Sequence, residues 1–345
     1  MAGSQARRSS TSSAALAVAT GAMHSCSSTG LAWSPTSAAA SAVRMAASIG
    51  EPQPDSPTTP PPSDRTRRRT VAGGGGVVTV SICGGVTATL KRAVKQSGAW
   101  TGTAAGRLII TNPSGGNFAA GAATLTGGVT VTLSGAQTAI TLLPGGQGET
   151  CQANFSGQLS AKRIYYADGV NRMFEFDGET VVPLTTGTVP DMPKHVTAFK
   201  NHLFFSVQSS VFNSAIGDPY NYTALSGAAE LACGDIITNL LIQPGSQTAG
   251  AMSIHARNTT FVLYGTSSAN WNLVTYNDGV GALDYTAQNL SQSYVMDDRG
   301  VMSMTSSLSY GNFDSATITN LIRPLIAEKR TKVSCSSLDR VKSQY

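Results

Sequence analysis

Charge is scarce in this 345-residue chain: Asp, Glu, Lys and Arg together make up 12% of it, about half the share in an ordinary globular domain. Much of the formal net charge of +5 sits in the first 72 residues, which leaves the remainder nearly neutral. Without a basic stripe, tight or sequence-specific nucleic-acid binding through phosphate contacts is not expected. Cysteine is sparse and scattered. Cys26, Cys83, Cys151, Cys233 and Cys335 form no CxxC pair and no Cys/His cluster at metal-ligand spacing. An odd number of distant thiols argues against a disulfide framework and for isolated buried cysteines in a reducing cytoplasm. No apolar run approaches the roughly 18 to 20 residues that cross a bilayer as a helix. No membrane-spanning segment is expected.

Catalytic signatures are missing as well. There is no GxSxG elbow, and His24, His195, His202 and His255 have no nucleophile or ligand partner at informative spacing. His195 and His202 flank one strand and its turn, which predicts edge or rim positions. Gly73 to Gly76 and the GGQG at 145–148 complete neither GxGxxG nor GxxxxGK[ST] and open no helix, so they are read as turns and not as phosphate cradles. Asp-Gly pairs at Asp168-Gly169, Asp177-Gly178 and Asp278-Gly279 lack the alternating oxygens and the final glutamate of a calcium loop, and suit turns that need positive φ. Asp297, Asp298 and Arg299 form an acidic cluster read as a turn with a local ion pair; buried, it would be a candidate for acid/base work. The Ser-x-Asp-x-Gly-x-Thr-Trp repeat of sialidase-like propellers is absent, and no carboxylate pair is assignable to glycoside hydrolysis. No catalytic residue, metal or cofactor is assigned.

What the chain does have is short strands. Residues 195 to 222, HVTAFKNHLFFSVQSSVFNSAIGDPYNY, read with the two residues beyond them as four strands (HVTAF, HLFFSV, VFNSAI, YNYTA) split by polar or Gly/Pro turns. That is one antiparallel sheet of the propeller-blade kind. Val196, Leu203, Phe204, Phe205, Val207, Val211, Phe212 and Ile216 give it apolar faces, worth about 1.5–3 kcal/mol for each large side chain fully buried. A lone sheet cannot hide them. The same syntax recurs in RIYYADGVNRMFEF, TFVLYGTSSANWNLV and, more loosely, from RGVMSMT. Taking Ile164, Leu203, Val262 and Val301 as equivalent gives intervals of 39, 59 and 39 residues, against about 40 to 50 for common blades. The long interval predicts an insertion around GDPYNYTALSGAAELACGD.

Three regions follow. Residues 1–72 are rich in Ser, Ala, Thr, Pro and Arg, lack apolar periodicity and are read as a disordered low-complexity segment, a composition that translation of GC-rich DNA in a wrong frame also yields. AALAVATGA after Arg7 and Arg8 is too short and weak for a signal peptide, and Arg67 to Arg69 read as a solvated linker run. Residues 73–158, with VVTVSI, RLIITN, TLTGGVTVTL and AITLL between Gly pairs, predict a small β-sandwich or β-roll. Residues 159–345 predict a β-propeller-like array, so the fold class is all-β. SATITNLIRPLIAEKR places Ile318, Leu321, Ile322, Leu325 and Ile326 at helical spacing, with Thr317 or Thr319 as N-cap and Pro324 tolerable only near the helix start; a short helix packed on the sheets is expected. The final LDRVKSQY leads into nothing, which predicts an incomplete propeller. Tyr220, Tyr222, Trp271, Tyr276 and Tyr285 are read as strand-packing aromatics, with sugar stacking as the alternative. The sequons at Asn154, Asn221, Asn258 and Asn289 carry little weight in so Ser/Thr-rich a chain.

The phrases YYADGVNRMFEFDG, PKHVTAFKNHLFFSVQSSVFNSAIGDP, GAAELACGDIITNL, FVLYGTSSANW and DDRGVMSMTSSLSYGNF together resemble bacteriophage virion proteins of the tail-nozzle, tail-tubular or packaged-DNA-stabilisation type. GRLIITNPSGGNFAAG and AITLLPGGQGE are similar to the β-rich segment that precedes the propeller in such proteins. The resemblance covers about half the chain and contains no catalytic motif. It implies a non-enzymatic, ring-forming subunit of the virion, assembled in the host cytoplasm from identical copies. Its further partners would be other phage head-tail or tail proteins, with DNA passing through a channel. Family members tend to be longer, so a fragment is expected. The alternative from composition alone is a secreted or surface carbohydrate-binding or adhesin β protein.

Overall fold

A computed structural model describes residues 23–27, 44–46, 79–82, 85–99, 102–155, 162–243, 250–290, 292–306 and 313–338. The first body is one continuous antiparallel sheet. Its strands are β1 (Met23–Ser27), β2 (Arg44–Ala46), β3 (Thr79–Ile82), β4 (Thr87–Ser97), β5 (Ala105–Ser114), β6 (Gly121–Leu125), β7 (Thr130–Leu133) and β8 (Gln137–Ala139). They lie in the order β2-β7-β6-β3-β4-β5-β1-β8, a roll and not a two-sheet sandwich. Alternation drives it: β6 and β7 turn Ala123, Leu125, Val131 and Leu133 inward against Val80, Leu108, Ile110 and Phe118 and leave the intervening residues exposed. Three register shifts between β4 and β5 give the curl that brings these faces together. β1 and β2 come from the segment expected to be disordered; the rest of residues 1–72 lies outside the described residues.

Four antiparallel meanders follow, each of four strands in sequence order. Blade 1 is β9 (Glu149–Ala153), β10 (Arg163–Ala167), β11 (Phe174–Phe176) and β12 (Val181–Pro183). Blade 2 is β13 (Val196–Phe199), β14 (His202–Val207), β15 (Ser210–Asn213) and β16 (Ala229–Ala232). Blade 3 is β17 (Ile237–Ile242), β18 (Met252–Ala256), β19 (Thr259–Tyr264) and β20 (Asn272–Asp278). Blade 4 is β21 (Gln288–Asn289), β22 (Ser293–Asp297), β23 (Gly300–Ser306) and β24 (Phe313–Thr317). This is a propeller-like array. β9 precedes residue 158, the expected end of the Gly-rich region, yet it is the pairing partner of β10.

Three sequence expectations need correction. The fourth strand of blade 2 is Ala229–Ala232, and the YNYTA stretch lies in the connection before it. There Ala215 N donates to Asn221 O, Tyr220 N to Asp218 Oδ1, and Tyr222 Oη to Pro219 O, so local turn bonds outcompete a ladder. Ile164 and Leu203 sit in second strands but Val262 and Val301 in third strands. Counted from the first residues of the second strands (163, 202, 252, 293), the intervals are 39, 50 and 41 residues, a more regular repeat whose long interval contains the 214–228 connection. The C-terminal helix, α1 (Arg323–Lys329), carries Pro324 in its first turn, where a missing N–H costs nothing. The helix does lie against β23, but of the apolar residues expected to pack there Leu321 is 98% exposed, Ile318, Ile322 and Leu325 are exposed and Ile326 is half-buried.

The Asp-Gly turns take the expected backbone, with φ of 74°, 101° and 103° at Gly169, Gly279 and Gly178. Gly148 has a different reason to be glycine. A Cβ there would lie 2.4 Å from the Tyr166 ring, so the chain entering blade 1 runs flat across that aromatic.

Candidate functional site

The first strands β9, β13 and β17 lie side by side, and charged residues at the starts of the first two meet the connection into blade 4. Glu149 opens β9, Lys194 and His195 immediately precede β13, and Asp284 and Tyr285 lie in the approach to β21. His195 Nδ1 is 2.7 Å from Glu149 Oε2, and Lys194 Nζ is 2.7 Å from Asp284 Oδ2. His195 Nε2 lies 3.7 Å from Asp284 Oδ1, an ion-pair distance too long for a hydrogen bond. Tyr285 covers the imidazole, ring centroids 4.8 Å apart, and its hydroxyl donates to Gln147 O. The cluster joins three blades.

His195 has no exposed surface, which corrects the edge or rim placement expected of it. Burial opposes its charged form, but Asp284 and Glu149 outweigh burial and hold its pKa above the ordinary imidazole value. For Asp284, burial pushes upward and His195 with Lys194 pulls further downward, so its carboxyl stays ionised below the usual range. A fully buried imidazole closed between two carboxylates and a ring is a tie between blades, with no face open to a substrate.

A second network locks blade 1 to its neighbours. Glu175 sits between Phe174 and Phe176 in β11, fully buried on the face turned toward blade 2. Its Oε1 is 2.5 Å from Arg92 Nη2 and 3.2 Å from Arg163 Nε, and its Oε2 accepts from Tyr165 Oη at 3.1 Å and Tyr220 Oη at 2.5 Å. Arg92 belongs to β4 and also reaches Asp177 at 3.3 Å. One buried carboxylate therefore collects partners from the Gly-rich sheet, from blade 1 and from the long connection of blade 2. Arg107 on β5 adds bonds to Pro183 O and to Thr185 Oγ1, while Ile109 of the same strand packs on Val94 and Val182. β5 is buried on both faces because core lies on one side and blade 1 on the other.

The other candidates resolve into packing. His202 is buried, not at a rim, with Nδ1 2.6 Å from Ser214 O and its ring edge-on to Trp271. His255 is buried among Ser253 Oγ (3.0 Å) and Thr260 Oγ1 (3.3 Å), and burial lowers its pKa to about 4. Arg299 Nε pairs with Asp297 Oδ2 at 2.8 Å, the turn ion pair expected, and Asp298 is held by Arg257 at 2.9 Å. Tyr220 and Tyr222 pack against the seam between blades 1 and 2, Trp271 against that between blades 2 and 3, and Tyr276 beside Met304. Of the thiols expected to be buried, Cys335 is exposed and Cys151 and Cys233 are half-buried. Burial pushes Cys151 up to about 12 and Cys233 to about 11, far from reactive thiolates. Cys83 lies outside the described residues. Among the described residues no group of three His, Cys, Asp or Glu could hold a metal ion, and no helix is long and apolar enough to cross a membrane.

The sequence carries two signals for these networks. FEF places an acid at the centre of a period-2 apolar strand, where it must find buried partners, and KH directly before a strand start puts two cations at a blade end. Glu149 and Asp284 had no local signature.

No protein-family model and no curated protein matches the chain. Among solved structures it is similar to BBS1N, crystallised in complex with ARL6DN and soaked with lead, at 12% identity over 49% of this chain and 66% of that one, with a TM-score of 0.27. A likeness that slight carries no argument beyond the β-rich architecture already evident in the four meanders.

Proposed function

We propose that the chain is a structural subunit of a bacteriophage virion, one of several identical copies in a ring at the head-tail junction or tail nozzle. There it helps conduct or retain packaged DNA. The observation that carries this reading is where the buried charge goes: the ionisable residues around Glu175 and His195 join blades to one another and to the Gly-rich sheet. Rigid coupling of sheets suits a load-bearing part. The phrases that resemble phage tail proteins fall on these blades, with YYADGVNRMFEFDG spanning β10 and β11 and FVLYGTSSANW leaving β19. A nearly neutral surface lets DNA slide, because dense Lys/Arg contacts would hold it. The reading gives the chain no catalytic role, a place in the virion, and other head-tail or tail proteins as neighbours.

The test is co-expression with the products of the genes flanking its coding DNA, followed by electron microscopy and mass spectrometry of the purified particles. Rings or tails containing the chain are expected. Particles that assemble without it, together with binding of the isolated chain on a glycan array, would replace this reading with the carbohydrate-binding one.

A further inference from the structure

Neighbouring blades meet through buried apolar clusters: Tyr165 with Phe205 between blades 1 and 2, Phe204 with Ile254 between blades 2 and 3, and Val262 with Met304 between blades 3 and 4. Among the described residues no such cluster holds residues of both blade 4 and blade 1. Those two blades are bridged at their entries by polar bonds instead. Tyr285, on the way into blade 4, donates its hydroxyl to the carbonyl of Gln147, on the way into blade 1. The segment after α1 bonds to both. Gln147 Nε2 donates to Ser334 O at 2.9 Å, Ser336 N to Tyr285 O at 3.0 Å, Ser336 Oγ to Thr286 O at 3.0 Å and Gln288 Nε2 to Ser336 O at 3.0 Å. Upstream, Arg330 Nη1 donates to Asp298 O at 3.1 Å, so the segment runs from the β22–β23 turn to the start of blade 1.

Two features make this bridge the weakest join of the array. Gln147 and Ser334 are exposed and Gln288 and Ser336 half-buried, so water competes for these bonds. Segments held by solvent-exposed hydrogen bonds with few apolar contacts open below the free energy of global unfolding. Tyr285 also has a φ of 58°, the left-handed region that a bulky side chain rarely adopts. The bond from Ser336 N to its carbonyl restrains it there, and release of the segment lets that strain relax.

We propose that residues 333–336 are a clasp: released from Gln147 and Tyr285, it lets the entry to blade 4 swing away from blade 1 while the three apolar seams stay closed. Beneath the Tyr285 ring lies His195, fully buried, with Nε2 lacking a hydrogen-bond partner. Opening therefore uncovers an imidazole nitrogen. His202, beside Trp271, and His255, inside blade 3, are buried as deeply but make no contact with the clasp. The inference does not depend on the virion reading.

Diethyl pyrocarbonate, which acylates accessible neutral imidazoles, tests it on the purified full chain at mildly alkaline pH, with each histidine followed by peptide mass spectrometry. His195 should react under native conditions while His202 and His255 stay protected. Q147A/Q288A removes one bond to Ser334 and one to Ser336, and should raise the His195 rate about tenfold, as expected for two hydrogen bonds of ordinary net strength. The rates at His202 and His255 and the circular dichroism spectrum should not change. S336P, which removes the N–H that Tyr285 accepts, should act in the same direction. A His195 modified no faster than the other two, or variants that leave its rate unchanged or speed all three together, overturns the inference, because the cluster then opens only when the whole fold does.

Discussion

Two seams join blade 2 to its neighbours, and they are made of different materials. Between blades 2 and 3 the contact is apolar: Phe199, Phe204 and Val211 meet Leu240, Ile254 and Leu263, with Trp271 edge-on to Phe204 at 5.5 Å. Between blades 1 and 2 an apolar cluster is also present, but it is flanked by buried charge at Glu175 and at His195. The apolar seam gains stability from area and tolerates small shifts of one blade on the other. The charged seam gains little net energy after desolvation, yet it fixes direction, because a displaced partner leaves a buried ion unpaired. The charged seam is also where the Gly-rich sheet attaches through Arg92. Orientation between unlike bodies is set by charge, and stacking of like bodies by apolar contact.

Removing Glu175 should break this comparison most sharply. E175A leaves Arg92 and Arg163 facing a buried void and should cost about 5 kcal/mol in chemical denaturation; an E175M/R92M pair should recover much of it, as no single repair could if the loss were one of volume. F204A in the other seam should cost about 4 kcal/mol, with no recovery from any change of charge. The pH profile separates two buried histidines next. His255, with its folded value lowered to about 4, contributes stability that is full above the unfolded value near 6.5 and lost as pH falls from there toward 4, about 3 kcal/mol in all. H255Q should flatten that acid limb of the denaturation midpoint. His195 has the opposite sign: its folded value is raised, so its contribution is present below about 6.5 and lost as pH rises through the folded value. H195Q should therefore flatten the neutral-to-alkaline side and leave the acid limb alone. The smallest effect is expected at the outer contact of the charged seam, Lys91 with Glu179, whose side chains are 34% and 69% exposed. E179A should shift stability by less than about 1 kcal/mol and the shift should fade in salt.

The all-β class and three of the four strands of blade 2 were legible because period-2 alternation and turn residues act locally: HLFFSV between Asn201 and Gln208 has few other ways to bury itself. The repeat was legible in kind but not in phase. Val262 and Val301 imitate Leu203, since second and third strands of a meander present the same local pattern of an apolar strand beside a turn, and only pairing tells them apart. YNYTA misled because Tyr has high strand propensity, whereas Asp218 and Pro219 commit the segment to a turn. α1 does meet β23, but the exposure of Leu321 and Leu325 was not legible, because helical spacing reports which residues share a face and says nothing of whether the whole face has a partner. The His195 cluster lay beyond reach: Glu149, His195 and Asp284 are brought together by three different blades, and no short window contains two of them.

The strand order of the Gly-rich sheet bears on how the molecule acquires its structure. Each blade pairs neighbours in sequence, and the hairpin from Ser293 to Met304 closes over a turn at Asp298-Arg299. In the roll, Val80 pairs with Leu125 and Met23 with Thr111, contacts that require long loops to close first. Local hairpins form in microseconds and non-local sheets are slower. The order of folding should then run against the order of synthesis: blades that leave the ribosome last can be complete while the roll that left first is still searching for its register, and Arg92 reaches Glu175 only once both have formed.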